Sequence, residues 1–523
     1  RAAFRGLTAR QPGAAVAWRS WWPGRASGDR FDEFAYLDSL QSRTTLQQLS
    51  AEAAYVSEVL SPTVPLQMEL YDELAAAQPA AHESEAEVRG GWAYYTRSPP
   101  RRDLPLFCRR PAGGGAEQIL LDLGALADRH GYAAIGKLAG SPDGRSFAYT
   151  LDLIGREEWQ LIIADAATGA PAAESTDGVL NFEWASSSEA LVYTSLDERG
   201  RPSRALVCAL GVPRARDRLL LEEPDGAHLL DVSSTRDGGW IALSSHSHFC
   251  SEVRLLPADS VSLQAEALLV APREEGLHYV VEGLSAGHLL IMSNGVESCA
   301  EAGAGGSARA NLGMGAAPAP ASSSTGLGLS TVHVSELPAP RASWATLRAP
   351  VAGAFVEDID VGHGWLGIYE RVAAVPRLSV AWLQMADPQP SPVAAWPRAS
   401  PARELGGADP RAAQDAAQPL VGAAGPTHRP FITAEALVPL PASPGPCHLV
   451  PVPSSDFCAD ELVFQLSSPR LPPTAYAFRL RGAGQGALTI RRTPPEPHRR
   501  PHAPIEPSEP QIHCEVRWAR ADD

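Results

Sequence analysis

The sequence has 523 residues, of which 44% are hydrophobic and 20% charged, and its formal net charge is −16. This composition predicts a globular chain with a sizeable core, and the acidic balance disfavours nucleic acid as a partner, because nucleic-acid binding needs basic patches. No run of about 18 apolar residues occurs, so we expect no membrane-spanning helix.

The first 30 residues are basic, with five arginines and no acid within residues 1–28. Such a segment is typical of the end of an organelle transit peptide and equally of a disordered tail, and both interpretations stay open for residues 1–30. We expect a cytoplasmic or organellar protein (chloroplast or mitochondrion) that is not secreted. The seven cysteines are odd in number and form no CxxC pair, which favours buried thiols in a reducing compartment over a disulfide framework or a zinc site.

Residues 31–85 are predicted to form a short helical arm. Apolar residues recur at helical spacing within residues 44–60 and again within residues 66–74. Ser61 and Pro62 separate the two runs, because proline rarely continues a helix interior.

A five-residue apolar core then recurs seven times after turn-forming residues. The copies are residues 92–96, 146–150, 190–194, 240–244, 289–293, 366–370 and 462–466. Each is followed by a second short strand-like run, at residues 105–108, 159–163, 205–209, 252–256, 331–334, 377–381 and 474–478. A period of roughly 40–50 residues is typical of propeller blades. We therefore predict an all-β fold, a seven-bladed β-propeller over residues 86–495.

Two low-complexity insertions lengthen the later repeats. Residues 298–329 are rich in alanine, glycine and serine, and residues 386–430 are rich in proline and alanine. Both lack the apolar side chains needed to offset the entropy of ordering, so we predict disordered loops in blades five and six. A Pro-rich linker follows in residues 496–523.

Several of these segments resemble the propeller of the prolyl oligopeptidase family of serine peptidases, and oligopeptidase B in particular. The segments are residues 90–97, 107–110, 120–127, 141–152, 251–256, 355–360 and 472–476. The predicted helical arm is similar to the N-terminal arm of that family. The resemblance covers about residues 30–520 apart from the two insertions.

The resemblance implies a two-part enzyme, in which the propeller filters substrates by size and a following α/β-hydrolase domain carries the Ser-His-Asp triad. Oligopeptidase B-like members cleave short peptides after Arg or Lys. The end of the sequence, residues 515–523, resembles the first strand of that hydrolase domain, which would need about 300 further residues. We therefore expect a chain without the hydrolase domain, and no catalytic, cofactor-binding or metal-binding residue is assigned.

One motif argues against this interpretation. Gly283-Leu-Ser-Ala-Gly287 fits G-x-S-x-G, the nucleophile elbow of α/β-hydrolases, which requires a helix after the serine. A short strand ending in Asn-Gly follows instead. Ser285 also occupies the repeat position of a hairpin turn, so we interpret it as a turn residue.

Other polar groups have weaker functional interpretations. His246 and His248 lie at strand spacing and could bind a metal, but no third ligand is evident and a polar blade edge is preferred. The acidic runs at residues 222–225 and 357–360 could steer a cationic peptide toward a central tunnel, although solvated turns are preferred. Arg97, Arg109 and Arg110 could pair with a hydrolase domain or remain surface arginines without a partner.

Two functions follow. The leading hypothesis is the substrate-gating portion of a serine-type oligopeptidase that acts on short, basic peptides and is inactive without its hydrolase domain. The alternative is a free-standing propeller that binds a protein partner without catalysis. The exposed apolar faces expected for the helical arm argue against the alternative.

Overall fold

In the computed structural model, the described residues are 14–18, 28–32, 35–39, 42–77, 82–100, 102–172, 174–284, 287–294, 331–336, 340–349, 351, 353–372, 375–384, 430–441, 447–452, 457–468, 471–481 and 486–492. They fall into two compact units, one within Arg1–Pro79 and the other within Ala80–Pro495.

The first unit holds a strand pair and two helices. Strands β1 (Ala14–Trp18) and β2 (Gly28–Asp32) pair antiparallel, which differs from the disordered tail expected there. The backbone of this apolar run satisfies its hydrogen bonds in a ladder instead. The targeting interpretation of residues 1–30 stays a prediction.

The two predicted helices are present. Helix α1 (Arg43–Leu60) begins after Ser42, whose side chain accepts a hydrogen bond from the Thr45 backbone N–H at 3.1 Å. A 3₁₀ turn at Ser61–Thr63 contains Pro62 and leads into α2 (Val64–Ala77). Proline is tolerated at the first positions of a helical turn, because its missing N–H would have no partner within the helix there.

The second unit consists of seven antiparallel sheets. Blade 1 contains β3 (His82–Glu83), β4 (Glu87–Arg89), β5 (Trp92–Ser98), β6 (Leu106–Pro111) and β7 (Gln118–Asp122), followed by helix α3 (Leu123–His130); blade 2 contains β8 (Ala134–Gly140), β9 (Ser146–Asp152), β10 (Gln160–Asp165) and β11 (Thr176–Asp177); blade 3 contains β12 (Val179–Trp184), β13 (Ala190–Leu196), β14 (Pro202–Ala209) and β15 (Arg218–Glu222).

The remaining four blades follow the same order. Blade 4 contains β16 (Leu229–Ser234), β17 (Trp240–His246), β18 (Ser251–Pro257) and β19 (Leu268–Ala271); blade 5 contains β20 (Tyr279–Gly283), β21 (His288–Ser293), β22 (Thr331–Glu336) and β23 (Ala345–Arg348); blade 6 contains β24 (Ala354–Gly362), β25 (Trp365–Val372), β26 (Val375–Gln384) and β27 (Phe431–Leu437); blade 7 contains β28 (His448–Pro451), β29 (Glu461–Ser468), β30 (Leu471–Leu480) and β31 (Gly486–Arg492).

The repeat found in the sequence corresponds to the second and third strands of blades 2–7 and to β5 and β6 of blade 1. The seven apolar cores lie in β5, β9, β13, β17, β21, β25 and β29, and the seven following runs lie in β6, β10, β14, β18, β22, β26 and β30. The predicted seven-bladed propeller is therefore confirmed. β3 pairs with β5, so the sheet of blade 1 begins ahead of the predicted boundary at residue 86.

The core lies between blades rather than within them. On β17, Ile241 and Leu243 pack with blade 3, whereas Trp240 and Ala242 pack with blade 5. A strand with two covered faces is apolar at successive positions, which explains why the repeated cores do not alternate with polar residues.

The apolar layer on the face of blade 1 that is not packed against blade 2 is much smaller than the layers between the other blades. Six clusters join consecutive blades, and the remaining cluster of described residues buries Tyr95, Leu106 and Cys108, all from blade 1. No described sheet combines strands of blades 1 and 7, so their junction gains no shared ladder.

The two predicted insertions lie outside the described residues. Their flanking strands are β21 and β22 of blade 5, and β26 and β27 of blade 6. Every sheet among the described residues is antiparallel, so this part of the chain contains no parallel sheet of the α/β-hydrolase kind. None of its helices is long and apolar enough to span a membrane.

We predict that the same substitution has unequal effects in two of these layers. Leu255 is 0% exposed between blades 4 and 5, and its change to Ala should lower the free energy of unfolding by about 4 kcal/mol. Leu106 is 4% exposed in the small cluster of blade 1, and its change to Ala should lower the free energy of unfolding by about 2 kcal/mol. Denaturant titration of Leu255→Ala and Leu106→Ala provides the comparison, and equal losses would contradict the asymmetry of the layers.

Candidate functional site at the inner strands

The first strands of the blades surround the centre of the propeller. Neighbouring first strands contact each other, as β8 does with β12, β12 with β16, and β24 with β28. In blades 2–7 the strands follow in chain order, so each first strand is the edge strand of its sheet, and in blade 1 both β3 and β4 pair with β5. Blades arranged radially in this way leave a central channel, and side chains of the first strands line it.

Acidic residues dominate these strands in blades 2–6. Lys137 is the one lysine or arginine on β8, β12, β16, β20 and β24, all of which the structure describes in full. The acids on the same strands are Glu183, Asp231, Glu282, Glu357, Asp358 and Asp360. A low-dielectric wall with an excess of one charge attracts ligands of the opposite charge.

A first network joins blades 2, 3 and 4. The Lys137 ammonium donates to Glu183 Oε1 at 2.7 Å and to Asn181 Oδ1 at 3.0 Å. The Asn181 amide in turn donates to Asp231 Oδ1 and to the Val232 carbonyl, both at 2.8 Å. Lys137 is therefore committed to holding neighbouring blades together.

A second network crosses blade 5. Arg236 lies in the turn after β16, and its backbone N–H donates to Glu282 Oε2 at 3.0 Å. Its guanidinium pairs with Asp360, which is 2% exposed on β24. One residue of blade 4 thus binds an acid of blade 5 and an acid of blade 6.

The carboxyl groups of this crossing are harder to ionise than usual. Burial raises the pKa of Glu282 to about 7 and outweighs the favourable contacts with Arg236. Burial also raises the pKa values of Asp237 and Asp360. Above about pH 7, where Glu282 ionises, four carboxylates lie around one arginine and leave a negative potential at this end of the channel; they are Asp237, Glu282, Asp358 and Asp360.

The G-x-S-x-G motif lies at the turn between β20 and β21. Ser285 falls outside the described residues, but the structure explains why glycine stands at positions 283 and 287. A Cβ at Gly283 would overlap the Asp237 carboxylate, and Gly287 has a φ of +78°. The motif is followed by strand β21 rather than a helix, and the Leu284 N–H donates to the His288 carbonyl at 2.8 Å across the turn. The turn interpretation of Ser285 itself stays a prediction.

The two histidines considered as metal ligands lie at the end of β17. His246 is the last residue of that strand, and the His248 carbonyl contacts His278 Nε2 at 3.1 Å. No group of three potential ligands suitable for a metal ion exists among the residues that the structure describes.

The preferred interpretation of the acidic runs as solvated turns is wrong for residues 357–360 and for Glu223, whereas Glu222 and Asp225 are exposed. Residues 357–360 lie on the first strand β24, where Glu357 pairs with Arg371 and Asp360 with Arg236. In the other run, the Glu223 carboxylate is buried because it pairs with Arg273 and accepts from Ser245.

The three arginines proposed for an interdomain role all have partners inside the propeller. Arg97 forms an ion pair with Glu117 at 2.7 Å, and Arg110 stacks over the Tyr95 ring. Arg109 stacks over Trp92 and donates to the Gly144 carbonyl at 2.6 Å. The interpretation as surface arginines without a partner is therefore wrong, and pairing with a hydrolase domain stays a prediction.

The sequence did contain a signal for the inner-strand residues that was missed. Lys137, Asp231 and Glu282 each lie one strand before a repeated core, with apolar neighbours on the same strand. A polar residue that recurs at that position indicates an edge strand with one solvent-exposed side. This arrangement can bind and orient cationic groups, and it offers no aligned nucleophile and base.

We predict that Glu282 makes stability depend on pH. Its pKa is about 7 when folded against an ordinary value of 4.5, so the folded chain retains a proton that the unfolded chain releases. Stability should therefore fall as pH rises from about 4.5 to 7 and stay level above that. Glu282→Gln, which mimics the protonated form, should be more stable than wild type at pH 8.

The melting temperatures of both proteins between pH 4.5 and 8 provide the measurement. The advantage of the variant should shrink steadily as the pH falls to 4.5. An advantage that does not change with pH would show that Glu282 ionises normally.

Comparison with known proteins agrees with this fold. The family model of the prolyl oligopeptidase N-terminal β-propeller domain matches residues 22–300. Dipeptidyl aminopeptidase BI of Pseudoxanthomonas mexicana is 30% identical over 276 residues, which cover 49% of this chain and 38% of that protein. Protease 2 of Moraxella lacunata is 26% identical over 289 residues, covering 53% of this chain and 41% of the relative. The chain thus spans less than half of the length of these relatives.

Solved structures show the same fold at low sequence identity. Oligopeptidase B from Trypanosoma brucei, in its closed form with covalently bound antipain, superposes with a TM-score of 0.68 at 18% identity. Oligopeptidase B from Leishmania major gives 0.68 at 17% identity. Each alignment covers 92% of this chain and 61% of the other. With the family model matching more than half of the sequence, the chain belongs to the prolyl oligopeptidase family, of which it carries the N-terminal β-propeller domain.

Proposed function

We propose that this chain is the substrate-gating part of a serine-type oligopeptidase and that it confines short peptides for a separate hydrolase domain. The observation that carries the proposal is the family match over residues 22–300. Two relatives that match this part of the chain are named as a dipeptidyl aminopeptidase and a protease. On this proposal the triad belongs to the hydrolase domain, and the chain alone does not hydrolyse peptides.

The helical arm supports a partner domain. Along α1 and α2, large apolar side chains are exposed by 45–66%; they are Leu46, Leu49, Val56, Val59, Leu60, Val64, Leu66, Met68, Leu70, Tyr71 and Leu74. An apolar surface of this extent on a soluble chain is a docking surface, because its exposure to water is unfavourable. The hydrolase domain is the partner we propose for it.

The inner strands support a preference for basic peptides. Asp358 is exposed and accepts a hydrogen bond only from the neighbouring Ile359 N–H among the contacts described for it. Glu282 lies nearby in the second network, where Arg236 alone provides positive charge against four acids. A peptide bearing Arg or Lys would supply the missing charge, and its entry would be favoured at low ionic strength.

We predict that the purified chain is catalytically silent. Fluorogenic peptides ending in Arg or Lys should be cleaved no faster than in buffer, and a fluorophosphonate probe should label no serine. Ser285→Ala should change neither result. Probe labelling that maps to Ser285 and disappears in this variant would overturn the proposal that the triad lies elsewhere.

We also predict weak, salt-sensitive binding of a basic peptide. An Arg-containing octapeptide should bind in isothermal titration with a Kd on the order of 1 mM or tighter at low salt, and its citrulline counterpart should bind more weakly. Glu282→Gln at pH 8 should reduce the affinity by roughly threefold, because it removes one carboxylate from the channel.

Glu222→Gln is the matched control. Glu222 lies on β15, the last strand of blade 3, where it pairs with Arg204. The two variants lose the same charge at different radial positions, so only the inner-strand variant should alter binding. Equal losses would show general electrostatic attraction rather than recognition in the channel, and would leave the gating role without support from this site.

A further inference from the structure

Three residues from two loops place a thiol, an imidazole and a carboxylate in a row. Asp225 and His228 lie in the segment that joins β15 to β16, and Cys250 lies in the turn that joins β17 to β18. His228 Nε2 is 3.4 Å from Cys250 Sγ, and His228 Nδ1 is 3.1 Å from Asp225 Oδ2. The second contact is close but poorly aligned for a hydrogen bond, as is common in sites without a ligand.

The loop that carries the imidazole is held by an arginine. The Arg201 guanidinium donates to the carbonyls of Glu223, Asp225 and His228 at 2.6–3.0 Å, and it pairs with Asp197. Asp225 Oδ1 also accepts from the Ala227 N–H at 2.9 Å. These bonds fix the ring and the carboxylate before any reagent arrives, which is the arrangement that an activated nucleophile needs.

The turn that carries the thiol is fixed as well. Ser247 Oγ accepts from the backbone N–H groups of Phe249 and Cys250 at 3.1 and 3.2 Å. Ser247 Oγ also lies 3.8 Å from the thiol, and the Arg273 guanidinium, which pairs with Glu223, interacts electrostatically with Cys250.

Other described cysteines lie in different surroundings. Cys108 and Cys208 are buried in apolar layers, and burial raises the pKa of each to about 11. Cys458 is exposed in the loop before β29. Cys108 and Cys208 therefore provide buried references, and Cys458 an exposed one, within the same molecule.

We propose that Cys250 is a reactive thiol and a site of covalent modification by small electrophiles, with hydrogen peroxide as the oxidant class that it meets. His228 takes the proton from Sγ, and Asp225 orients the ring and stabilises the imidazolium that forms. The thiolate then attacks one oxygen of the peroxide and the O–O bond breaks. The sulfur is oxidised to a sulfenic acid, while the departing oxygen takes the proton from His228 and leaves as water.

The burial of the site sets the size of the reagent. Cys250 is 7% exposed and His228 5% exposed, whereas the Asp225 side chain is 52% exposed at the open side of the loop. Peroxide and small alkylating reagents fit such access, and a peptide acyl group does not. The reaction is independent of peptide hydrolysis, and the proposal stands or falls separately from the proposed function.

The test measures alkylation of each cysteine in the whole chain. With limiting iodoacetamide at pH 6.5, quantified by peptide mass spectrometry, Cys250 should react about tenfold faster than Cys458, and Cys208 should remain unmodified. Hydrogen peroxide followed by dimedone should label Cys250 first. His228→Asn should remove the advantage of Cys250 in both assays, and Asp225→Asn should reduce it by roughly threefold.

Matched controls separate chemistry from folding. His246→Asn makes the same change at the end of β17, and Asp259→Asn removes an exposed carboxylate beyond the far end of β18. Neither should change the rate at Cys250. If His228→Asn fails to fold, the proposal is still tested by the Asp225→Asn variant and by the ratio of the Cys250 and Cys458 alkylation rates in the wild type. A wild-type Cys250 that reacts no faster than Cys458, or a folded His228→Asn chain with an unchanged rate, would overturn the proposal.

Discussion

The structure of the propeller depends on the burial of each blade between its neighbours. A four-stranded sheet of this kind has two apolar faces, and neither can be covered by its own blade. On β17 the residues alternate between the layer shared with blade 3 and the layer shared with blade 5. Because the hydrophobic contribution scales with apolar area removed from water, blades 2–6 are stable only while both neighbours are in place.

Blades 5 and 6 are joined by a buried network of paired charges. Glu370 of β25 is fully buried, yet Arg348 donates to it at 2.7 Å and Arg377 at 3.0 Å. Arg348 continues the network to Glu435 on β27 at 3.0 Å. Removing one partner of such a network would leave a buried charge uncompensated, which is costlier than the contact itself is stabilising. The pairs therefore fix the register of blades 5 and 6 as well as their contact.

The sequence revealed the second and third strands because these strands have two covered faces, and their apolar runs repeat. It did not reveal the first strands, since edge strands beside a channel tolerate Asp, Glu and Lys that normally argue against a strand. Residues 357–360 resembled a turn for this reason, although they belong to β24. Partners separated by blade boundaries, such as Arg236 and Asp360, have no sequence signature, because the curvature of the ring brings them together.

The order of strands also separates the two features with chemical character. In an antiparallel meander, the connections between strands one and two and between strands three and four lie at one end of a blade, and the remaining connections lie at the other. Arg236 lies in a connection of the first kind, so the second network, with its four acids, lies at one end of the ring. His228 lies in the connection from β15 to β16, and Cys250 lies in the connection from β17 to β18. Both connections are of the second kind. Oxidation at Cys250 therefore acts on the contact between the incoming segment of blade 4 and its own hairpin, at the end of the blade away from the charged mouth of the channel.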